Sequence, residues 1–365
     1  MKSVIKENLL KIKNSQIFLD LFFSLFSIVL ALSIGALLIY LSGYDVGLAY
    51  RHLINGAFGN SYNIAQTIIK TIPLIFTGLA VAVGFRAGVF NIGAEGQLYW
   101  GAFITAVTAI YLQGLPAVIL MPLSLIAGAL AGGLWASVPG YLKAYTGAHE
   151  VVTTIMLNYV AIFGTTFLIK NFFKAEGGID QTVVIPKGAQ LPVLINHTRL
   201  TFAIFVALFV IIVIDFIYKR TALGFDLKSV GHNSSAAEYA GISSKHMIVA
   251  GMFISGAVAG LAGSTMVMGV LHRFITNFSP GYGYSGIAVA VLGRKRPWGV
   301  FLAALLFGIL ESGGMAMKLF AKIPSDLMTV VQGLVILFVS APAMIEWFRD
   351  RLAVKNADKG VEICE

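Results

Sequence analysis

Cysteine is almost missing from these 365 residues. Cys364 stands alone, so no intrachain disulfide and no cysteine cluster is available. Charge is scarce too, at 12% of residues, and such scarcity beside high apolar content excludes disorder and argues against a soluble domain. The histidines (His52, His149, His197, His232, His246 and His272) fall at no metal-ligand spacing. No Gly-x-x-x-x-Gly-Lys-Ser/Thr run occurs, so no phosphate-cradling loop is evident, and no nucleophile has a visible base partner. A membrane enzyme and a self-contained ATPase both lose support, and no metal or cofactor site is expected.

What is present is apolar: 58% hydrophobic residues, mean hydropathy +0.84, 26 phenylalanines and 39 glycines. Several windows approach the roughly 20 apolar residues that cross a bilayer. Phe suits lipid-facing surface and Gly suits close helix crossings. The expectation is an all-α polytopic membrane protein with about ten spans (eight to ten). They are drawn at 19–41, 64–85, 90–112, 116–137, 150–169, 200–218, 247–268, 282–293, 298–317 and 327–347. The third and eighth are weak, and either could be re-entrant. The first reads as a retained span, not a signal peptide, because it runs long and lacks a small-x-small cleavage site.

A net charge of +9 could suggest nucleic acid, but the basic residues form no continuous polar-aromatic tract. Sidedness explains them better. With the N-terminus inside, seventeen Lys and Arg fall on inner segments and eight on outer ones. That bias predicts both termini in the cytoplasm, with a segment at 1–18, a membrane domain at 19–347 and a tail at 348–365. The external connection 170–199 is turn-rich, with room for a short strand at 183–185, and either docks an outside partner or idles. The segment 219–246 is a polar, helix-forming insert on the inner side, larger than a simple connection needs. A short helix is expected from Ser234 to Ala240, with Asn233 as its N-cap and Ser234 as the alternative.

Residues 84–97, Gly-Phe-Arg-Ala-Gly-Val-Phe-Asn-Ile-Gly-Ala-Glu-Gly-Gln, interrupt two apolar stretches with Arg86, Asn91 and Glu95. Broken backbone survives at membrane depth only against protein or a wet cavity. Gly88, Gly93 and Gly96 permit bends or close contact, and Asn91 and Glu95 share a face if the segment is helical. Glu95 has two readings. It lies near a translocation path or moving junction, or it caps backbone N–H groups or pairs with Arg86 and holds a bend. Lys70 falls inside the second span, where its stem could snorkel, and Pro73 is expected to kink that span. Glu311 is the analogous charge in the second half. The interruptions at 88–96 and 279–287 correspond loosely, as in transporters built from pseudo-repeated halves.

Three stretches carry a family resemblance: Arg86-Ala-Gly-Val-Phe-Asn-Ile-Gly-Ala-Glu-Gly-Gln97; residues 224–242, from Gly224-Phe-Asp-Leu-Lys-Ser-Val-Gly-His to Glu-Tyr-Ala-Gly-Ile242; and Gly281-Tyr-Gly-Tyr-Ser-Gly-Ile-Ala-Val-Ala-Val-Leu-Gly293. Together they resemble the permease subunits of ATP-binding-cassette importers of the nucleoside and simple-sugar group, related to branched-chain amino-acid and ribose permeases. The likeness extends over most of residues 60–345. It implies a type II importer permease in the cell inner membrane, dimerising with a second, shorter homologous permease. It further implies a cytoplasmic ATPase that uses ATP and magnesium, and an external substrate-binding lipoprotein. The implied solute is a purine or general nucleoside, with simple sugars such as ribose as the alternative. Many relatives carry Arg at the position of Lys228 and Glu at that of His232. At position 228 a planar fork has become a point charge.

The resemblance also assigns roles. Lys228, Gly231, Ala236, Ala237, Glu238, Tyr239 and Gly241 would couple to the ATPase. The route for solute is sought at Asn91, Glu95, Gly96, Tyr99, Tyr282 and Tyr284, although tyrosines also anchor spans at the membrane surface. Arg86, Gly88, Gly93 and Pro73 are structural candidates. The rival from another class is an ion-coupled transporter or channel, with Glu95 as the ion site and Lys70 its counter-charge.

Overall fold

The computed structural model describes residues 29–324, 327, 329–334 and 337–338. The sequence segment 1–18, the start of the 19–41 span, much of the 327–347 span and the 348–365 tail lie outside the described residues. Two compact units divide the chain, one made of residues up to Leu53 with those from Gly314, the other of Ile54–Gly313. In the first, α1 (Val29–Leu41) is held by Tyr50 of α2 (Val46–Phe58), whose hydroxyl donates to the Leu32 carbonyl at 2.6 Å. His52 stacks on Phe320 at 5.4 Å.

The larger unit is all helical apart from isolated bridges. Its elements are α3 (Ser61–Arg86), α4 (Ala94–Tyr111), α5 (Ala117–Tyr141), α6 (Glu150–Leu168), α7 (Ala203–Arg220), α8 (Ala222–His232), α9 (Ser234–Tyr239), α10 (Ser244–Met266), α11 (Tyr282–Leu292) and, as far as Gly313, α12 (Pro297–Phe320). Helices α5, α6 and α10 each end in one wider π turn, at Leu142–Thr146, Ile169–Phe173 and Val267–Leu271. With those turns, five helices among the described residues are long and apolar enough to cross a membrane: 61–86, 117–146, 150–173, 244–271 and 297–320. The chain is a multi-pass, all-α membrane protein.

Helix α3 is buried at every position from Thr71 to Gly84. It continues through Pro73, whose missing N–H interrupts the ladder, while the Thr77 hydroxyl donates to the Pro73 carbonyl at 2.9 Å. Helix α10 packs against α5, α4 and α3, and α11 against α3. The α4–α10 crossing is made backbone to backbone, because a Cβ on Gly101 would strike the Gly260 main chain. Small residues at such crossings replace the hydrophobic drive that lipid removes.

Three boundaries differ from the sequence reading. The helix expected from residue 90 begins at Ala94, because residues 87–93 are turns and irregular backbone; Asn91 is therefore off the helix and does not share a helical face with Glu95. Residues 46–58 form α2, where Arg51, His52 and Asn55 break any apolar run. Residues 183–185 form no strand; Thr182 and Ile185 instead donate single hydrogen bonds to the Phe274 and His272 carbonyls, at 2.9 and 2.8 Å.

Candidate functional site

The turn between α3 and α4 folds on a ring of amides. Gly88 adopts φ +76°, which turns the chain back after Arg86. Asn91, fully buried, donates from Nδ2 to Gln97 Oε1 (2.9 Å) and Ser255 Oγ (2.7 Å). Its Oδ1 accepts from Gln97 Nε2 at 3.0 Å and from the Gly93 N–H at 2.9 Å. Ser255 of α10 passes its own proton to the Ala80 carbonyl at 2.6 Å. Each such group left unpaired in the interior would cost about 1–3 kcal/mol, so the closed set ties the turn to α3, α4 and α10.

Asn158, a lone amide in the middle of α6, completes the ring. Its Oδ1 accepts from the Gly96 N–H at 2.8 Å, one of the orphan donors at the start of α4. Its Nδ2 donates to the Ile92 carbonyl (2.9 Å) and to the Tyr284 hydroxyl (3.3 Å). Sequence reasoning missed Asn158, Gln97 and Ser255. The available signal was a carboxamide or hydroxyl isolated among apolar neighbours, for which a bilayer core offers no water.

Glu95 is 2% exposed and its Oε2 accepts from the Gly283 N–H at 2.6 Å, within the first turn of α11. A carboxylate there meets both a free donor and the positive end of the helix dipole. Ser279 stands beside it, accepting from the Gly281 and Tyr282 N–H groups at 3.2 Å each. Arg86 takes no part: its Nε donates to the Lys295 carbonyl at 3.0 Å and its guanidinium lies 4.2 Å from the Tyr218 ring centre. Of the six residues expected at the route, Asn91, Glu95, Gly96, Tyr282 and Tyr284 converge where α4 and α11 begin. Tyr99 lies one turn on, packed among Phe274 and Phe278 and 2% exposed. All of these except Tyr284 are buried.

The segment 219–246 forms α8 and α9. Thr221 caps α8, its Oγ1 accepting from Gly224 N–H at 3.2 Å, and Asn233 caps α9, its Oδ1 accepting from Ala236 N–H at 3.0 Å. Lys228, Ala236, Glu238 and Gly241 are exposed, and Tyr239 is 96% exposed. Ala237 is buried, on the inward face of α9. Gly231 also faces inward: a Cβ there would strike the Arg86 carbonyl, and Gly88 lies against its Cα. The water-facing segment therefore rests directly on the turn that leads to Asn91.

Lys70 of α3 meets Glu311 of α12, Nζ to Oε1 at 3.2 Å, so its partner is the second-half carboxylate and not Glu95. At the same end of the bundle, Asp180 sits between Lys174 (2.8 Å) and Lys170 (3.3 Å). The hydrogen bond from Lys174, reinforced by Lys170, holds its carboxyl below the usual aspartate range. Among the described residues no group of three His, Cys, Asp or Glu is placed to hold a metal.

Comparison with known proteins bears on this arrangement. The family described as branched-chain amino acid transport system / permease component matches residues 63–340. The chain is 41% identical over 342 residues to the guanosine ABC transporter permease protein NupP of Bacillus subtilis (strain 168), covering 92% of this chain and 97% of that protein. It is 34% identical over 332 residues to the nucleoside ABC transporter permease protein NupB of Lactococcus lactis subsp. cremoris (strain MG1363), covering 88% and 91%. It is 31% identical over 342 residues to the glucose ABC transporter permease protein TsgB13 of Haloferax volcanii, covering 90% and 89%. No solved structure matches.

Proposed function

This chain belongs to the branched-chain amino acid transport system / permease component family, and from that membership we propose that it forms the route for nucleosides in an ATP-driven importer. It is a permease subunit, and ATP and magnesium are used by a separate ATPase. The nucleoside assignment is supported by its identity to permeases named for guanosine and for nucleosides. Identity to a glucose permease favours a second reading, sugar import. Uptake of labelled guanosine, ribose and glucose into vesicles carrying the whole importer separates them. ATP-dependent guanosine uptake supports the first reading, and uptake of sugar alone replaces it.

The proposed architecture has about ten spans in two related halves, placed in the cell inner membrane with both termini in the cytoplasm. The 17-to-8 bias of basic residues supports that orientation. The pairing of α4 and α11, two helices that each follow a glycine-containing turn and start at one polar junction, supports the halves. The partners proposed are a cytoplasmic ATPase, a second and shorter permease, and an external substrate-binding lipoprotein.

The observation that carries the mechanism is the contact of Gly231 with the Arg86–Gly88 turn. The ATPase seats the α9 turn through Tyr239, with Glu238, Ala236 and the Lys228 ammonium around it. Closure of the ATPases displaces α9 and α8 as a body. Gly231 passes the displacement to the turn, and the turn moves the starts of α4 and α11 that Glu95 joins. On the ion-coupled alternative Glu95 would have to release Gly283 to take a cation. Uptake by Glu95→Gln against an imposed ion gradient tests this: dependence on the gradient with no ATPase present defeats the importer reading.

A further inference from the structure

A cavity of about 450 Å³ opens at the end of the bundle that carries the 174–201 connection, away from α8 and α9. Its wall includes Tyr62, Gln66 and Lys70 of α3, Arg199 of the connection, Met266 of α10 and Tyr282 at the start of α11. We propose that this cavity is the entry subsite for the solute, and that it takes a nucleoside. This rests on the nucleoside-importer reading above and deepens it.

Three observations carry the assignment. The volume lies within the roughly 300–1,000 Å³ of small-molecule sites. The wall is rich in residues that carry donors: Gln66, Lys70, Arg199, Tyr62 and Tyr282 all line it. Such a wall suits a solute rich in acceptors, as the hydroxyls, carbonyl and ring nitrogens of a nucleoside are, and the two tyrosines and Met266 offer apolar and aromatic surface to a flat base. The charge of Lys70 is already answered by Glu311 at 3.2 Å. Among the described residues Arg199 makes no ion pair, so the cavity holds one uncompensated cation at its exposed rim. That charge suits the electron-rich carbonyl and ring nitrogens of a base.

The cavity also touches the junction described above. Tyr282 is 4% exposed and stands between Gly281, at φ +97°, and Gly283, whose N–H binds Glu95. A solute seated against Tyr282 is therefore one residue from the α4–α11 link. Tyr282 serves two places: the cavity wall and the first turn of α11. By contrast Asn91 and Glu95 line no part of this cavity.

The test uses the complete importer in vesicles, with Gln66→Leu and Arg199→Gln made singly and together. The double variant is expected to lower maximal guanosine uptake by about 10-fold or more relative to ribose, as loss of paired donors does. Arg199→Lys should restore most of it, and assembly with the ATPase should persist. An unchanged guanosine-to-ribose ratio in an importer that moves guanosine overturns the subsite alone, whereas a wild type that moves no nucleoside defeats the function reading itself. Should the substitutions spoil assembly, Gln66→Cys in a Cys364→Ser background decides. Guanosine slowing its reaction with an impermeant maleimide by about 10-fold supports the subsite, and an equal rate with and without guanosine overturns it.

Discussion

The polar residues of this chain fall into two populations that behave oppositely. Around Asn91 and Glu95, donors and acceptors are buried and paired: Asn91 alone makes four hydrogen bonds to three residues. In the α8–α9 segment the side chains reach out, Tyr239 is 96% exposed, and open space surrounds Gly241. The first population sits where water is absent and an unpaired group costs about 1–3 kcal/mol, so its polarity is consumed in holding helices together. The second sits where water satisfies everything, so its polarity remains available to another molecule. A polar residue in a membrane protein thus says little about transport until its neighbours are known.

Substitutions in the two regions should separate stability from coupling. The largest effect is expected where helices meet backbone to backbone beside the buried ring. Gly260→Leu places a side chain into the Gly128 carbonyl, and no monodisperse protein should be recovered in detergent; a normal elution profile would contradict the crossing. Asn91→Leu comes next. It strands the Gly93 N–H, Gln97 and Ser255, and should lower stability by about 3 kcal/mol, read as a fall in melting temperature. A loss under about 1 kcal/mol would mean the ring is incidental.

Tyr239→Ala should do the reverse, leaving stability within about 0.5 kcal/mol while ATPase co-purification drops several-fold. Retained co-purification would remove Tyr239 from the docking surface. Ala237→Asp is a poorer probe, because Ala237 faces inward and an acid there unsettles α9 itself.

The smallest effect concerns pH at the 174–201 end. Asp180 has a depressed carboxyl pKa, so its ion pairs contribute above the unfolded value of about 3.9 and are lost as pH falls through the lower folded value. Hydrogen exchange of residues 174–185 should therefore be unchanged between pH 7 and pH 5 once corrected for the intrinsic rate. Loosening already at pH 5 would show that another group controls the connection.

Much of this was legible in the sequence. The long apolar helices read directly from hydropathy, and Asn233 as a cap followed from a side chain that accepts at N3 ahead of a helix-forming run. Glu95 as a cap was one of two structural readings, and geometry selects it over Arg86. What could not be read is of one physical kind. Asn158 and Ser255 meet the turn from helices far along the chain, and no local pattern encodes such partners. Gly231 was assigned to ATPase coupling from its place in the stretch, but that its missing side chain makes room for the Arg86–Gly88 turn could not be read from the sequence. The π turns that lengthen α5, α6 and α10 leave no periodic signature, and α2 carries too many polar residues for an apolar window.

The meeting of Gly88 with Gly231 has a mechanical consequence. Neither residue has a rotamer to relax or a charge to screen, so the joint has almost no slack and no chemistry to titrate. Salt would be felt at the charges of Lys228 and Glu238 on the surface, while the joint itself stays indifferent to it. Stiffness at that point comes from the omission of atoms, and one methyl group on Gly231 would strike the Arg86 carbonyl and force the two segments apart.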